Sequence, residues 1–186
     1  MQDVLPSVPY LTQVLNPDEL GYPRGLSNCQ AAPTIHARGN PTLLERHLIG
    51  LFCSIRCPGG AILRAFDWIK TLPPVGVAVV SGFHSPIEQE CLSLLLRRGI
   101  AVVVCPAREI SHYRYPEPWE HALASWQLLM LSPFATYKRA TVVLAEKRNT
   151  FVAALADALV VIHAPEGSRT RAAVEQAADK PVTELC

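Results

Sequence analysis

The stretch that decides the fold is Val75–Glu88, which reads VGVAVVSGFHSPIE. Its first half is a run of β-branched and small apolar residues that ends at Ser81-Gly82, which is typical of a buried strand. Ser85-Pro86-Ile87-Glu88 then places a serine at a helix N-cap, a proline at the first helical position and a glutamate three residues after the serine. This is the capping-box pattern. The segment predicts a buried strand that passes through a tight loop directly into a helix.

The same alternation continues along the chain. Apolar runs predict strands at Leu48–Ile55, Val75–Ser81, Ile100–Cys105, Leu128–Ser132 and Ala158–Ala164. Helical patterns predict helices near Gly60–Thr71, Pro86–Arg98, Thr141–Asp157 and Ser168–Ala178. Strands that alternate with helices are typical of a parallel sheet, and strands that are apolar throughout need both faces covered. We therefore predict an α/β, Rossmann-like fold: an open, mainly parallel sheet with helices on both faces.

The length and composition fit one folded domain. A chain of 186 residues, 49% of them hydrophobic, can bury a real core, about 70% of the surface that its unfolded form exposes. We predict an irregular, proline-containing lead-in over residues 1–47 that packs on a Rossmann-like domain over residues 48–186. No internal repeat or low-complexity tract divides the sequence.

Charge and hydropathy limit the function classes. The net charge of +1 argues against a protein that is basic over its whole surface. The longest apolar runs are far shorter than the roughly 20 residues that cross a bilayer. Met1–Tyr10 has neither a basic start nor an apolar core, so no secretory signal is predicted. These features predict a cytoplasmic protein without membrane contact.

The six cysteines do not form a metal-binding pattern. Cys53 and Cys57 are the only close pair, and no second pair has zinc-ligand spacing. Cys53, Cys91 and Cys105 fall on apolar runs or stripes, where cysteine acts as a small buried hydrophobe. We expect neither a metal nor a cofactor.

Basic residues gather in the segments that follow the predicted strands. Ligands of open parallel sheets bind outside the carboxyl ends of the strands, where helix N-termini offer free N–H groups. Eight of the 17 Lys and Arg residues fall in these loops or on the following helix: Arg56, Arg108, Arg114, Lys138, Arg139, Arg148, Arg169 and Arg171. We predict a phosphate-binding crevice there, with the candidate residues Arg56, Gly59, Gly60, Ser81, Gly82, His84, Ser85, Arg148, Gly167, Ser168, Arg169 and Thr170. The basic, aromatic stretch His112–Tyr115 adds stacking rings, which suit single-stranded nucleic acid.

Arg148 is a charge on an apolar stripe. On the predicted helix Thr141–Asp157 it lies four residues after Leu144 and three before Phe151, both of which should face the sheet. A buried charge needs a partner. Arg148 therefore either pairs with an acid in the core or reaches into the crevice.

The sequence offers no coherent catalytic set. Neither phosphate-loop glycine pattern, G-x-G-x-x-G or G-x-x-x-x-G-K-[ST], occurs, and there is no G-x-S-x-G or H-E-x-x-H motif. Glu88 fits a capping box as well as a catalytic acid, and His84 and His163 fit structural roles as well as functional ones. We expect a binding protein that is not an enzyme.

Short motifs give the chain a family resemblance. Tyr22–Leu26 and Ala37–Asn40 are similar to a YP-x-x-L segment and an R-G-[ND] approach to the first strand. The later motifs are Ser54–Gly59 against G-[ST]-R-x-x-S, Ser81–Glu88 against S-G-x-A-R-G-I-D, Arg148-Asn149-Thr150 against R-N-R, and Ala154–Ala158 against G-L-S-D-A. Their order and spacing resemble the DNA-processing protein A (DprA/Smf) family over about residues 21–183.

The resemblance implies an extended Rossmann-like fold, a homodimer, single-stranded DNA in the basic crevice and delivery to a RecA-type recombinase. It also adds Asn149 to the candidate site and implies no enzymatic activity. The chain departs from the family pattern at Ser54, where the family has glycine, and at Ser85-Pro86, where the family has arginine and glycine. Arg169 and Arg171 could replace the lost charge.

Two other functions stay open at this point. These departures allow a divergent member whose ligand is a nucleotide or a nucleotide-derived small molecule. A hydrolase similar to the cytokinin-activating phosphoribohydrolases would need P-G-G-x-G-T-x-x-E, of which only Pro58-Gly59-Gly60 is present, without the glutamate. An interaction protein that has lost its ligand is the remaining alternative.

Overall fold

The computed structural model describes residues 11–27, 32–111 and 116–185, and its centre is one eight-stranded sheet. The strands are β1 (Gln13–Leu15), β2 (Ile35–Gly39), β3 (His47–Cys53), β4 (Val77–Ser81), β5 (Ala101–Val104), β6 (Leu128–Ser132), β7 (Ala158–His163) and β8 (Val182–Glu184). Their spatial order is β1-β2-β6-β5-β4-β3-β7-β8. The strands from β3 to β8 pair in parallel, whereas β1 and β2 form an antiparallel edge beside β6.

Helices cover both faces of the sheet, as predicted. They are α1 (Arg24–Ser27), α2 (Gly59–Thr71), α3 (Pro86–Arg97), α4 (Glu117–Ala124), α5 (Val142–Leu155) and α6 (Arg169–Glu175), with a 3-10 helix at Pro41–Glu45. Side chains of α2, α3 and α4 join one buried cluster, and those of α1, α5 and α6 join another. Along β4, Ala78 and Val80 belong to the second cluster and Val79 to the first, because successive side chains of a strand point to opposite faces.

The lead-in differs from the prediction. Residues 1–47 were expected to be irregular, but their described part supplies β1, α1 and β2, and both strands belong to the main sheet. β2 alternates buried and half-buried residues and pairs with β6, so that Ala37 lies opposite Leu131. Neither α4 nor the exposed three-residue β8 is predicted from the sequence. These elements are short, so hydrophobic periodicity gives only a weak signal for them. The strands among them also pair with residues that are distant in sequence.

The order of the strands reverses at β3. From β3 the chain builds outward through β4, β5 and β6 on one side, and then crosses by α5 to β7 and β8 on the other. A reversal of this kind separates the loops on either side and opens a crevice outside the carboxyl ends of the strands.

Lys180 fixes the C-terminal end of α5. Its Nζ atom lies 2.9, 2.5 and 2.6 Å from the carbonyl oxygens of Ala153, Ala154 and Ala156. The last carbonyls of a helix have no partner within the helix, and a cation there also meets the negative end of the helix dipole. Lys180 therefore ties α5 to the segment that leads into β8.

Replacing Lys180 by methionine should lower the free energy of unfolding by about 1–2 kcal/mol, because charged hydrogen bonds to the helix end are lost while the aliphatic stem is kept. Chemical denaturation measures the change. Lys147→Met is the matched control, since Lys147 is exposed on the same helix. Equal effects of the two substitutions would contradict the capping role.

Candidate phosphate-binding crevice

A crevice of about 1490 Å³ opens at the carboxyl ends of the central strands, between α3 and α5. Its walls come from the loops after β3, β4, β5 and β7, from one side of α3, and from the first turns of α4, α5 and α6. This is the edge of the sheet at which the sequence predicts a ligand.

The loop after β4 is organised by a buried carboxylate. Glu88, which is 7% exposed, accepts hydrogen bonds from the backbone N–H groups of Cys53 at 3.0 Å, His84 at 2.9 Å and Ser85 at 3.0 Å. The Ser85 hydroxyl accepts in turn from the N–H of Glu88 at 3.2 Å. The predicted capping box is confirmed. Because Cys53 ends β3, the same carboxylate also joins two neighbouring strand ends.

Glu88 changes what the first turn of α3 can bind. The N-terminus of a helix attracts anions through its free N–H groups. Here the protein's own carboxylate occupies the position of such an anion, so two N–H groups of this loop are already used. Phe83 adopts a positive φ of 44° in the same loop, and its N–H donates to the Ser81 hydroxyl at 3.3 Å. Hydrogen bonds within the protein thus hold the loop. Gly82 is the residue of this loop whose missing side chain leaves space.

Arg148 lies directly beneath Gly82. A Cβ atom on residue 82 would come 1.3 Å from Nη1 and 2.0 Å from Cζ of Arg148. The guanidinium donates from Nε to the amide oxygen of Asn149 at 2.8 Å and from Nη1 to the carbonyl oxygen of Cys105 at 3.3 Å. Only glycine leaves room for this arginine between the β4 loop and the end of β5.

Arg148 keeps its charge although its residue surface is 5% exposed. Burial lowers the pKa of its guanidinium, and the nearby negative charge of Glu88 acts in the opposite direction. Arginine stays protonated in proteins. No acid among the described residues lies within ion-pair distance of Arg148. Its Nη2 atom donates no hydrogen bond to any described residue. Of the two roles that the sequence leaves open, the structure therefore favours the crevice, which Arg148 lines.

The loop after β7 separates two arginines. Arg169 lines the crevice and pairs with Glu146 of α5, with 2.6 Å between Nε and Oε1. Arg171 instead donates to the carbonyl oxygen of Ala164 and to the Glu184 carboxylate of β8, and its hydrogen bonds lower the pKa of Glu184. Arg171 thus has a structural role, and of these two arginines Arg169 is the one that adds charge to the crevice.

Most of the predicted residues meet in one place. Those that line the crevice are Gly82, His84, Ser85, Arg148, Asn149, Gly167, Ser168, Arg169 and Thr170. Ser81 is buried below it. Arg56, Gly59 and Gly60 are exposed and do not line it, because the loop between β3 and α2 carries them outward from Ile55. His163 ends β7 without lining the crevice, and His112–Tyr115 lie outside the described residues.

Sequence reasoning missed several residues of the walls. Glu146 lies on the same side of α5 as Val142 and Asn149, at helical spacing, and this spacing could have identified it. Ser54 lines the crevice with a buried hydroxyl that has no hydrogen-bond partner among the described residues. Trp119 follows two prolines at the start of α4, where no periodic pattern announces a helix.

The cysteines near the crevice are not poised for nucleophilic chemistry. Burial raises the pKa of Cys53 well above its usual range and raises the pKa values of Cys91 and Cys105 to about 12. A thiol with so high a pKa carries almost no thiolate at neutral pH. Within the described ranges, no cluster of three or more His, Cys, Asp or Glu side chains could hold a metal ion. In the same ranges no helix is long and apolar enough to span a bilayer.

The profile of the DNA recombination-mediator protein A family matches residues 13–183. The chain belongs to this family. Among solved structures, it is similar to DNA processing protein A (DprA) from Streptococcus pneumoniae, with a TM-score of 0.79 and 20% identity over 93% of this chain. The chain spans 62% of the length of that protein. The family resemblance and the Rossmann-like fold predicted from the sequence are confirmed.

Two further structures are similar. DNA processing protein A from Helicobacter pylori, whose structure is described as giving insight into its single-stranded DNA binding mode, has a TM-score of 0.74 and 16% identity over 94% of this chain and 80% of its own. A molybdenum cofactor binding protein from Rippkaea orientalis has a TM-score of 0.52 and 12% identity over 75% of this chain and 76% of its own. Comparison with curated protein sequences found no match.

Gly82→Ala should lower the free energy of unfolding by about 1–3 kcal/mol, because the new Cβ displaces the Arg148 guanidinium from its hydrogen bonds. The cost should largely disappear in an Arg148→Ala background, where the space is empty. A double-mutant cycle by chemical denaturation measures this coupling.

Gly59→Ala is the control for that cycle. Apart from the neighbouring backbone, no described atom lies within 4 Å of a Cβ at this position, and alanine favours the helix that begins there. Additive effects of Gly82→Ala and Arg148→Ala would contradict the close approach described here.

Proposed function

We propose that this chain binds single-stranded DNA along the crevice and acts as a recombination mediator without catalysing a reaction. The observation that carries the proposal is Arg148, a buried cation with an unused donor nitrogen at the carboxyl ends of the central strands. A phosphodiester supplies a negative charge in direct contact with Arg148, whereas Glu88 acts on it only from beyond ion-pair distance. Membership of the DNA recombination-mediator family and the DNA binding described for the H. pylori protein support this ligand.

The size and lining of the crevice favour a strand. Small-molecule pockets enclose about 300–1,000 Å³, whereas this crevice reaches about 1490 Å³. Besides Arg148, its lining includes Phe83, Trp119 and Leu96. Binding of single strands combines cations that follow the backbone with apolar and aromatic surfaces against which bases stack. The crevice offers both kinds of surface.

The phosphate contacts divide into an inner and an outer set. Arg148, Asn149, Ser168, Arg169 and Thr170 form the inner set, on the side of α5 and α6. Gly82, His84 and Ser85 line the crevice from the loop after β4, where the absent side chain of Gly82 leaves room for the Arg148 guanidinium. Arg56, with Gly59 and Gly60 at the start of α2, forms the outer set on the path of a strand that leaves the crevice past Ile55.

The non-enzymatic role is supported by the hydrogen bonds of Glu88 and by the pKa values of the buried cysteines. Glu88 accepts three backbone hydrogen bonds, and the buried cysteines have raised pKa values. The resemblance to the family further leads us to propose a cytoplasmic homodimer that delivers the strand to a RecA-type recombinase.

A nucleotide or nucleotide-derived molecule is the second candidate ligand. The crevice charges favour it, since the largely apolar lining carries four arginines and three glutamates: Arg97, Arg108, Arg148 and Arg169 with Glu88, Glu90 and Glu146. A surface with so small an excess of positive charge suits one phosphate better than a long polyanion.

Binding of oligothymidylate should weaken with salt at a log–log slope of roughly −0.7 per phosphate contact. Arg148→Ala should reduce the magnitude of that slope by about 0.7 and weaken binding. It should lower the melting temperature of the free protein only modestly, because the hydrogen bonds to Asn149 and Cys105 are lost but no described acid loses an ion-pair partner. Fluorescence anisotropy at several salt concentrations and thermal melting measure the two effects.

Arg24→Ala is the matched control, since Arg24 is exposed on α1, which packs against the other end of α5. Failure of the wild type to bind oligothymidylate at low salt, together with stabilisation by thymidine monophosphate, would replace the DNA proposal by the nucleotide one. A melting temperature greatly lowered by Arg148→Ala would instead indicate a core role.

A further inference from the structure

Arg169 and Glu146 form an ion pair on the wall of the crevice. Nε of Arg169, at the start of α6, lies 2.6 Å from Oε1 of Glu146 on α5. Their side chains are 67% and 44% exposed, respectively, and both residues line the crevice. Exposed pairs of this kind contribute about 0–1 kcal/mol to stability. The pair is therefore easily exchanged for another partner and does little to hold the fold.

The pair also lies on the same wall as Arg148. Glu146 comes two residues before Arg148 and three before Asn149, and all three line the crevice from α5. An anion that engages both Arg148 and Arg169 must therefore share this wall with the Glu146 carboxylate. Like charges brought together without a cation between them repel, and this repulsion weakens binding.

We infer that Glu146 is an internal competitor for Arg169: its carboxylate occupies the guanidinium in the free protein, and a DNA phosphate displaces it. This inference rests on the proposed function. When a phosphate binds Arg169, the Glu146 carboxylate loses its ion-pair partner. This loss offsets the gain from the new contact, so Arg169 adds little net affinity in the wild type. A ligand with a single phosphate engages Arg148 and leaves the pair intact, whereas a strand with successive phosphates reaches both arginines.

Glu146 thereby limits the affinity for a strand, whereas it leaves the affinity for a mononucleotide nearly unchanged. Without its charge, Arg169 becomes a full phosphate contact. Glu146→Gln should then raise the affinity for oligothymidylate about fivefold at low salt, which corresponds to about 1 kcal/mol. It should also increase the magnitude of the salt slope by about 0.7, the contribution of one phosphate contact on a single strand.

The experiment compares five proteins by anisotropy with labelled oligothymidylate across a salt series: the wild type, Glu146→Gln, Arg169→Ala, the double variant, and Glu90→Gln. Arg169→Ala alone should change affinity less than twofold, and the double variant should lose the gain of Glu146→Gln. Glu90→Gln controls for the removal of any negative charge, because Glu90 is an exposed acid that lines the crevice on α3, away from Arg169. Thermal melting of each variant reports on folding.

Thymidine monophosphate provides the second probe. Its affinity, measured by competition or thermal shift, should be nearly the same for the wild type and Glu146→Gln. A gain for Glu146→Gln that persists in the Arg169→Ala background, or an equal gain for Glu90→Gln, overturns the inference and leaves the proposed function standing. No binding of oligothymidylate by any of the proteins at low salt contradicts the proposed function and the inference with it.

Discussion

The carboxylate of Glu88 holds together the part of the molecule on which the crevice depends. Its hydrogen bonds from the N–H groups of Cys53, His84 and Ser85 join the end of β3 to the loop that follows β4. Charge-assisted bonds of this kind are stronger than neutral ones, and three of them keep a buried carboxylate satisfied without a basic partner in contact. The loop can then keep its positive φ at Phe83 and present Gly82 over the neighbouring strand ends.

This arrangement makes room for a buried cation. Arg148 rises from α5 under Gly82 and uses Nε and Nη1 within the protein, while its charge has no contacting acid among the described residues. An uncompensated buried charge is costly, so a folded protein retains one where a ligand or another function needs it. Lys180 supports the same helix from its other end. α5 is thus central to the crevice, because it carries both Arg148 and Glu146, the acid that pairs with Arg169.

The departures from the family pattern form one consistent change. Where the family has arginine and glycine in the second loop, Ser85 and Pro86 start α3 with a capping box, and that loop carries no cation. Arg169 lines the crevice at the start of α6, where it pairs with Glu146. At 20% identity, the chain is similar in fold to the S. pneumoniae protein, and in this chain buried apolar strands lie between helices on both faces.

Local patterns in the sequence determined the central strands, the helices α2, α3, α5 and α6, the capping box and the edge of the sheet at which the crevice opens. Each depends on neighbours within one turn or one strand, so periodicity and cap chemistry suffice. Only the tertiary structure decided the rest. β2 forms because Ala37 pairs with Leu131, which is distant in sequence. Arg169 lines the crevice, whereas Arg56 does not. Gly82 is required because the Arg148 guanidinium occupies the space beside it. Contacts between residues distant in sequence leave no local pattern, and the direction of a long side chain is set by the space that its neighbours leave.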